Sequence, residues 1–137
     1  MLSPNGRPRA KDRAAMSEGP SILIVEDEYG LAELLREVLT ERGYDVTLAI
    51  NGRLALDVLR EREIHLVLTD LMMPVMDGAE LAEAMRADER HRRIPIVMMT
   101  SLVTAAPSED GLYEALLGKP FTPDALLRVL ETLVSRA

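Results

Sequence analysis

Cysteine is absent from the chain, and with it any disulfide or thiolate-bound metal. No apolar run approaches the roughly 18 residues that a membrane-crossing helix needs. Nor does the N-terminus carry a short apolar stretch of the secretory kind. The expected compartment is the cytoplasm. A basic body is missing as well. The formal net charge is −7, and it is unevenly spread. Residues 1–20 hold Arg7, Arg9, Lys11 and Arg13 against Asp12 and Glu18, while the rest of the chain sums to −9. Phosphate neutralisation dominates affinity for duplex DNA, so the acidic body argues against direct DNA binding. The head contains Pro, Gly and Ser and has little to bury. It is expected to be a disordered basic leader over residues 1–20, with Met16 as an alternative start.

What remains suffices for one folded domain over residues 21–137. The chain has 137 residues and is 47% apolar, enough for a real core. From Ser21 onward, apolar runs of strand length alternate with helical segments. Leu31, Leu34, Leu35, Val38 and Leu39 recur at helical spacing over residues 29–42, and Gly43 is placed to stop that helix. A second strand is expected at Asp45–Ala49. Asn51 can cap a second helix carrying Leu54, Ala55, Val58 and Leu59. Further strands are expected at Leu66–Thr69 and Ile94–Met99. A third helix is expected from about Asp77, burying Leu81, Ala84 and Met85. The last helix opens at Thr122-Pro123, a cap followed by proline at the first helical position. The remaining Met residues, Met72, Met73, Met76, Met98 and Met99, are expected in the core. Five strands alternating with helices predict a parallel α/β sheet covered on both faces. The stretch from Thr100 to Lys119 fits this least well. Pro107, Gly111 and Ala105-Ala106 leave room for only a shortened or irregular fourth helix.

Chemistry-bearing residues close the apolar runs. Glu26-Asp27 follow Ile22–Val25, Asp70 follows Leu66–Thr69, Thr100 follows Ile96–Met99, and Lys119 follows Ala115–Gly118. In an open α/β sheet the ligand crevice lies at the carboxyl ends of the strands, so these groups should converge. Carboxylates brought together raise one another's pKa unless a cation is present. Oxygen ligands of this kind suit Mg²⁺. A hydroxyl and an ammonium beside them suit a phosphoryl group. Two segments are the most specific: Asp70-Leu71-Met72-Met73-Pro74-Val75-Met76-Asp77-Gly78, and Lys119-Pro120-Phe121.

With these segments in this order, residues 21–137 resemble the receiver domain of bacterial two-component response regulators. The resemblance implies a doubly wound, flavodoxin-like fold with strand order 2-1-3-4-5. It implies that Asp70 is a phosphoryl acceptor forming an aspartyl phosphate and also a metal ligand. Asp27 would bind Mg²⁺ directly, Glu26 through water, and Met72 through its backbone carbonyl. Thr100 would contact the phosphoryl group and act in the switch. Lys119 would pair with Asp70 before phosphorylation and with the phosphoryl group after it. The implied partners are a sensor histidine kinase or a histidine phosphotransfer protein, and a downstream protein. The implied module is not an enzyme in the ordinary sense, and is expected to stand alone as a monomer or weak dimer. A docking-only receiver and a fragment of a longer regulator remain as alternatives.

Departures and exclusions follow. The family usually has an aromatic residue three positions before the lysine, where this chain has Leu116; Tyr113 is nearby but out of register. The interval from Thr100 to Lys119 is also short, so a non-standard output face is expected. Positions two after Asp70 and two after Thr100 influence hydrolysis in the family. Here they are Met72 and Leu102, which cannot orient water, so a long-lived phosphoryl group is expected. An aspartyl phosphatase would need a second Asp where Met72 stands, and a flavodoxin-like cofactor binder would need a phosphate-cradling loop where Glu26-Asp27-Glu28 stand. His65 and His91 are expected to be incidental.

Overall fold

The computed structural model describes residues 19–107 and 111–134. The expected leader lies outside the described residues except for Gly19 and Pro20, as do residues 135–137. Five strands form one parallel sheet: β1 (Ser21–Val25), β2 (Asp45–Ala49), β3 (Leu66–Asp70), β4 (Ile96–Thr100) and β5 (Ala115–Gly118). Their order is β2-β1-β3-β4-β5, the doubly wound order expected from the resemblance. Four α-helices pack on it: α1 (Tyr29–Glu41), α2 (Gly52–Glu61), α3 (Gly78–Arg86) and α4 (Pro123–Val134).

The strands are apolar on both faces because both faces are covered, and strand residues alternate between them. Ile22, Ile24, Leu66, Leu68, Val97 and Met99 face one core with Leu35 and Leu39 of α1 and Leu126 and Leu130 of α4. Leu23, Val25, Val67 and Met98 face the other with Ala55 and Leu59 of α2 and Leu81 and Met85 of α3. Complete burial of a side chain such as Leu or Met contributes about 1.5–3 kcal/mol, so these two layers carry the fold.

Helix ends follow their local chemistry. The Glu28 carboxylate accepts the Gly30 and Leu31 N–H groups. Asn51 Oδ1 accepts the Leu54 N–H at 2.9 Å. Asp77 and Glu80 form a reciprocal capping box on α3. Thr122 Oγ1 accepts the Ala125 N–H at 3.1 Å. Gly43, at φ 89°, ends α1 in the left-handed region.

Several expectations are corrected. Met98 and Met99 are fully buried, but Met73 and Met76 are only half-buried and Met72 is 61% exposed, because the β3–α3 loop runs over the surface. Leu34 also lies outside the core. β4 starts at Ile96 rather than Ile94, since Pro95 has no N–H to donate to the ladder. His91 is buried, with Nε2 3.0 Å from the Leu59 carbonyl. His65 Nδ1 accepts the Ser21 N–H at 2.9 Å. Both histidines therefore serve the scaffold.

Between β4 and β5 the described residues form no α-helix. A 3-10 turn at Val103–Ala105 leaves Leu102 and Val103 exposed. Arg86, at the end of α3, fastens this connection instead. Its guanidinium donates to the carbonyls of Gly111 (2.8 Å), Arg92 (2.8 Å) and Ile94 (2.9 Å) and to the Glu114 carboxylate (2.7 Å). Glu114 Oε1 also accepts the Ile96 N–H at 2.6 Å. Arg86→Ala is expected to lower stability in urea unfolding by on the order of 2 kcal/mol. Arg86→Lys should restore only part of it, because an ammonium cannot reproduce the planar fork.

Candidate phosphoryl and metal site

Glu26, Asp27, Asp70, Thr100 and Lys119 all stand at the carboxyl ends of their strands. The site lies where the strand order reverses, between β1 and β3. Carboxylate oxygens of Glu26, Asp27 and Asp70 lie within 4.8 Å of one another. Lys119 Nζ reaches into this cluster, 2.9 Å from Glu26 Oε1 and 3.3 Å from Asp70 Oδ2. The ammonium thus bridges two carboxylates, and its shorter contact is to Glu26 rather than to the expected Asp70.

The backbone makes this convergence rigid. Asp70 is paired with Met99 in the β3–β4 ladder and Thr100 with Gly118 in the β4–β5 ladder. Lys119 N–H donates to the Thr100 carbonyl at 2.8 Å, which fixes where the lysine leaves β5. The Lys119-Pro120 peptide bond is cis. Thr100 is 1% exposed, and its Oγ1 accepts the Leu102 N–H at 3.0 Å. That bond uses one of the two lone pairs of the hydroxyl and leaves its proton to donate elsewhere. Gly78, first residue of α3, sits so close to β3 that an added Cβ would lie 2.3 Å from the Asp70 carbonyl. Only glycine permits that approach. Met72 belongs to the exposed loop that follows, which is why an apolar side chain is tolerated there.

Glu26 is 2% exposed. Burial is the main cause that pushes its pKa up; the Asp70 charge adds to this, while Lys119 and the Glu28 N–H oppose it. For Lys119, burial works downward but is outweighed by the Glu26 hydrogen bond and the two carboxylate charges, so its pKa is raised. Mutual attraction alone would bring Glu26 down as it lifts Lys119. Glu26 nevertheless stays raised, because one ammonium shared by two carboxylates does not offset nearly complete burial. Three oxygen donors carrying more negative charge than the lysine neutralises fit a hard divalent cation.

Sequence reasoning missed two contributors. Glu28, grouped with the acidic cluster, caps α1 instead. Gly52, the first residue of α2, donates its N–H to the Met76 carbonyl at 3.0 Å, tying α2 to the β3–α3 loop. The Asn51-Gly52 pair after a strand was the available signal, but it reads equally well as a plain helix start.

A family model of the response regulator receiver domain matches residues 22–131. This chain belongs to the response regulator receiver domain family. The receiver is 34% identical to the response regulator Rre1 of Synechocystis over 125 residues, covering 88% of this chain and 54% of that protein. It is 38% identical to the DNA-binding response regulator MtrA of Mycolicibacterium paratuberculosis over 109 residues, covering 77% and 47%. The chain thus spans about half the length of these curated relatives. Among solved structures, the chemotaxis response regulator CheY4 of Vibrio cholerae is similar at TM-score 0.75 and 28% identity, covering 84% of this chain and 98% of that one. The receiver domain of a Pseudomonas aeruginosa sensor histidine kinase, solved with a magnesium ion coordinated in its active-site cleft, is similar at TM-score 0.78 and 31% identity, covering 85% and 98%.

Two predictions follow from the site's strain and charge. Val75, at φ 71° and 79% exposed, is held in a conformation that disfavours β-branched residues. Val75→Gly should raise stability by about 1 kcal/mol in urea unfolding. A carboxyl whose pKa rises on folding adds stability below its unfolded pKa and loses that contribution as pH climbs through the raised pKa. Metal-free wild-type protein should therefore lose stability relative to Glu26→Gln as pH rises from the ordinary glutamate range toward neutrality, as read from paired urea midpoints.

Proposed function

We propose that this receiver takes a phosphoryl group onto Asp70 from a phosphohistidine and then signals through protein–protein contacts. The observation that carries the reading is the meeting of Lys119 with Glu26 and Asp70 inside the three-carboxylate cluster. A magnesium ion would be held by Asp27, Asp70 and the Met72 carbonyl, and by Glu26 through water. When bound, it would supply charge neutralisation for the phosphoryl oxygens. The Asp70 carboxylate attacks phosphorus, the P–N bond of the donor breaks, and its electron pair stays on the imidazole. Lys119 turns from the carboxylates to a phosphoryl oxygen, and the Thr100 hydroxyl donates to another. The protein's contribution is in-line positioning and electrostatics, which suits phosphoryl transfer.

The donor's docking place is the apolar groove that opens beside Lys119. It is lined by Leu31, Leu34 and Val38 of α1 with Pro120, Phe121 and Pro123. An apolar helix of a sensor histidine kinase or histidine phosphotransfer protein fits such a surface. No described helix is long and apolar enough to cross a membrane, in keeping with a cytoplasmic partner. On the output side, Leu116 and Tyr113 pack against the same core, and the Tyr113 hydroxyl donates to the Pro107 carbonyl at 2.6 Å. Switching here would proceed without an inward aromatic flip; a phosphorylated-state structure with Tyr113 in the Thr100 pocket would contradict this. The stand-alone reading is checked by the native product: a mass near 15.2 kDa supports it, and about twice that makes this a module of a longer regulator.

Intact mass after incubation with acetyl phosphate and Mg²⁺ tests the main reading. One added phosphoryl group is expected, absent in Asp70→Asn and in wild type without Mg²⁺. Unlabelled wild-type protein would favour a docking-only receiver. With Met72 and Leu102 unable to orient water, the label should decay over minutes to hours, and a half-life of seconds would count against that assignment.

A further inference from the structure

The loop between β3 and α3 is anchored at both ends. Leu71 N–H donates to the Met99 carbonyl at 2.8 Å, and Gly78 N–H donates back to the Leu71 carbonyl at 2.8 Å. Between these anchors the chain makes a three-residue turn. Met76 N–H donates to the Pro74 carbonyl at 2.8 Å, with Val75 between them at φ 71°. This is the rarer, strained form of γ-turn, centred on a β-branched residue that buries almost nothing. A strained conformation persists only where its surroundings over-determine it. Local hydrogen bonding does not supply that constraint, because the strained bond is itself the local one. A contact from outside the loop comes from α2.

Gly52 stands at the first position of α2, buried against this turn. Its N–H donates to the Met76 carbonyl at 3.0 Å. A Cβ built on it would lie 2.7 Å from Met76 Cγ and 2.9 Å from the Met76 carbonyl oxygen. The position therefore has no room for a side chain, although alanine is otherwise better than glycine in a helix. The stretch from Leu71 to Met76 is thus held at one end by the sheet and at the other by Gly52. Met72 lies within it, two residues beyond Asp70.

We propose that Gly52 is a positioning residue for the acceptor site: pressed on Met76, it sustains the turn at Val75 and so sets where the Met72 carbonyl stands relative to the Asp27 and Asp70 carboxylates. The inference rests on the reading of this cluster as a magnesium-dependent phosphoryl acceptor. In that reading the carbonyl is the cation ligand that the β3–α3 loop supplies, so a shift of the turn at Val75 acts on it first. The lever is remote, since Gly52 follows β2, a strand that supplies none of the charged groups at the site.

The test is a Mg²⁺ titration followed by amide NMR on wild type, Gly52→Ala and Arg53→Ala, with thermal unfolding of each. Arg53 neighbours Gly52, but its side chain is exposed and pairs with Asp57. Gly52→Ala should bind Mg²⁺ about tenfold more weakly, the scale on which supporting contacts act at metal sites. It should keep its fold, and acetyl phosphate labelling should return at saturating Mg²⁺. Arg53→Ala should match wild type. Equal Mg²⁺ affinity in Gly52→Ala and wild type would overturn the inference while leaving the acceptor reading intact, as would an equal loss in Arg53→Ala. Wild-type protein without Mg²⁺-dependent shifts would overturn the acceptor reading itself and this inference with it. Should Gly52→Ala not fold, Gly52→Ala/Met76→Ala is read in its place. It removes the obstacle at Cγ and keeps the one at the carbonyl, so weakened binding supports the inference and unchanged binding overturns it.

Discussion

Three carboxylates held within 4.8 Å of one another, one of them almost wholly buried, repel one another more strongly than they would in water, and a rigid frame is needed to sustain them. Repulsion among them disfavours the metal-free state, and the Lys119 ammonium relieves it only in part. Such repulsion favours a cation, and in the proposed reading a phosphoryl group once the cation is bound. The surrounding structure is organised around keeping these charges from separating.

That frame is the parallel sheet. Each charged group leaves the end of a strand whose other residues are locked on both faces by apolar packing, so the strand ends cannot spread without opening a core. Ladder pairing sets relative height: Asp70 lies opposite Met99, and the Lys119 N–H is tied to the Thr100 carbonyl. Glycines then bring helices close where a Cβ would force them away, Gly78 against β3 and Gly52 against the β3–α3 loop. Rigidity on this side contrasts with the β4–β5 connection. There, polar fastening by Arg86 and Glu114 stands in the place of helix packing. Hydrogen bonds and an ion pair near the surface hold less firmly than a buried apolar layer. Among the described residues, this less firmly held segment lies next to Thr100, the residue proposed to sense the phosphoryl group.

Much of this was legible in the chain itself. Strand-length apolar runs cannot alternate with amphipathic helices and also bury both faces except as a covered parallel sheet, and the acidic, hydroxyl and ammonium residues at the run ends then have one place to meet. Caps such as Asn51 and Thr122 and the stop at Gly43 were readable because they act within a few residues of chain. Other features were not readable. Met72 looked like core because composition cannot tell an apolar residue on a loop from one in a strand. Glu28 looked like part of the acidic cluster, although its carboxylate turns back on its own helix. The weak fourth helix was foreseen from Pro107 and Gly111, but not the guanidinium that replaces it, since Arg86 acts across 25–28 positions of sequence.

The sequence by itself determined fold class, strand count, the starts of the helices to within a residue or two, and which acidic, hydroxyl and ammonium residues follow the strands, because these follow from hydrophobic period and local capping. Tertiary structure alone decided that Lys119 leans closer to Glu26 than to Asp70, that Glu26 is the carboxyl burial acts on, and that Gly52 presses on Met76. Those outcomes depend on distances and solvent exclusion between segments far apart in the chain, and neither quantity exists until the two cores have closed on the sheet.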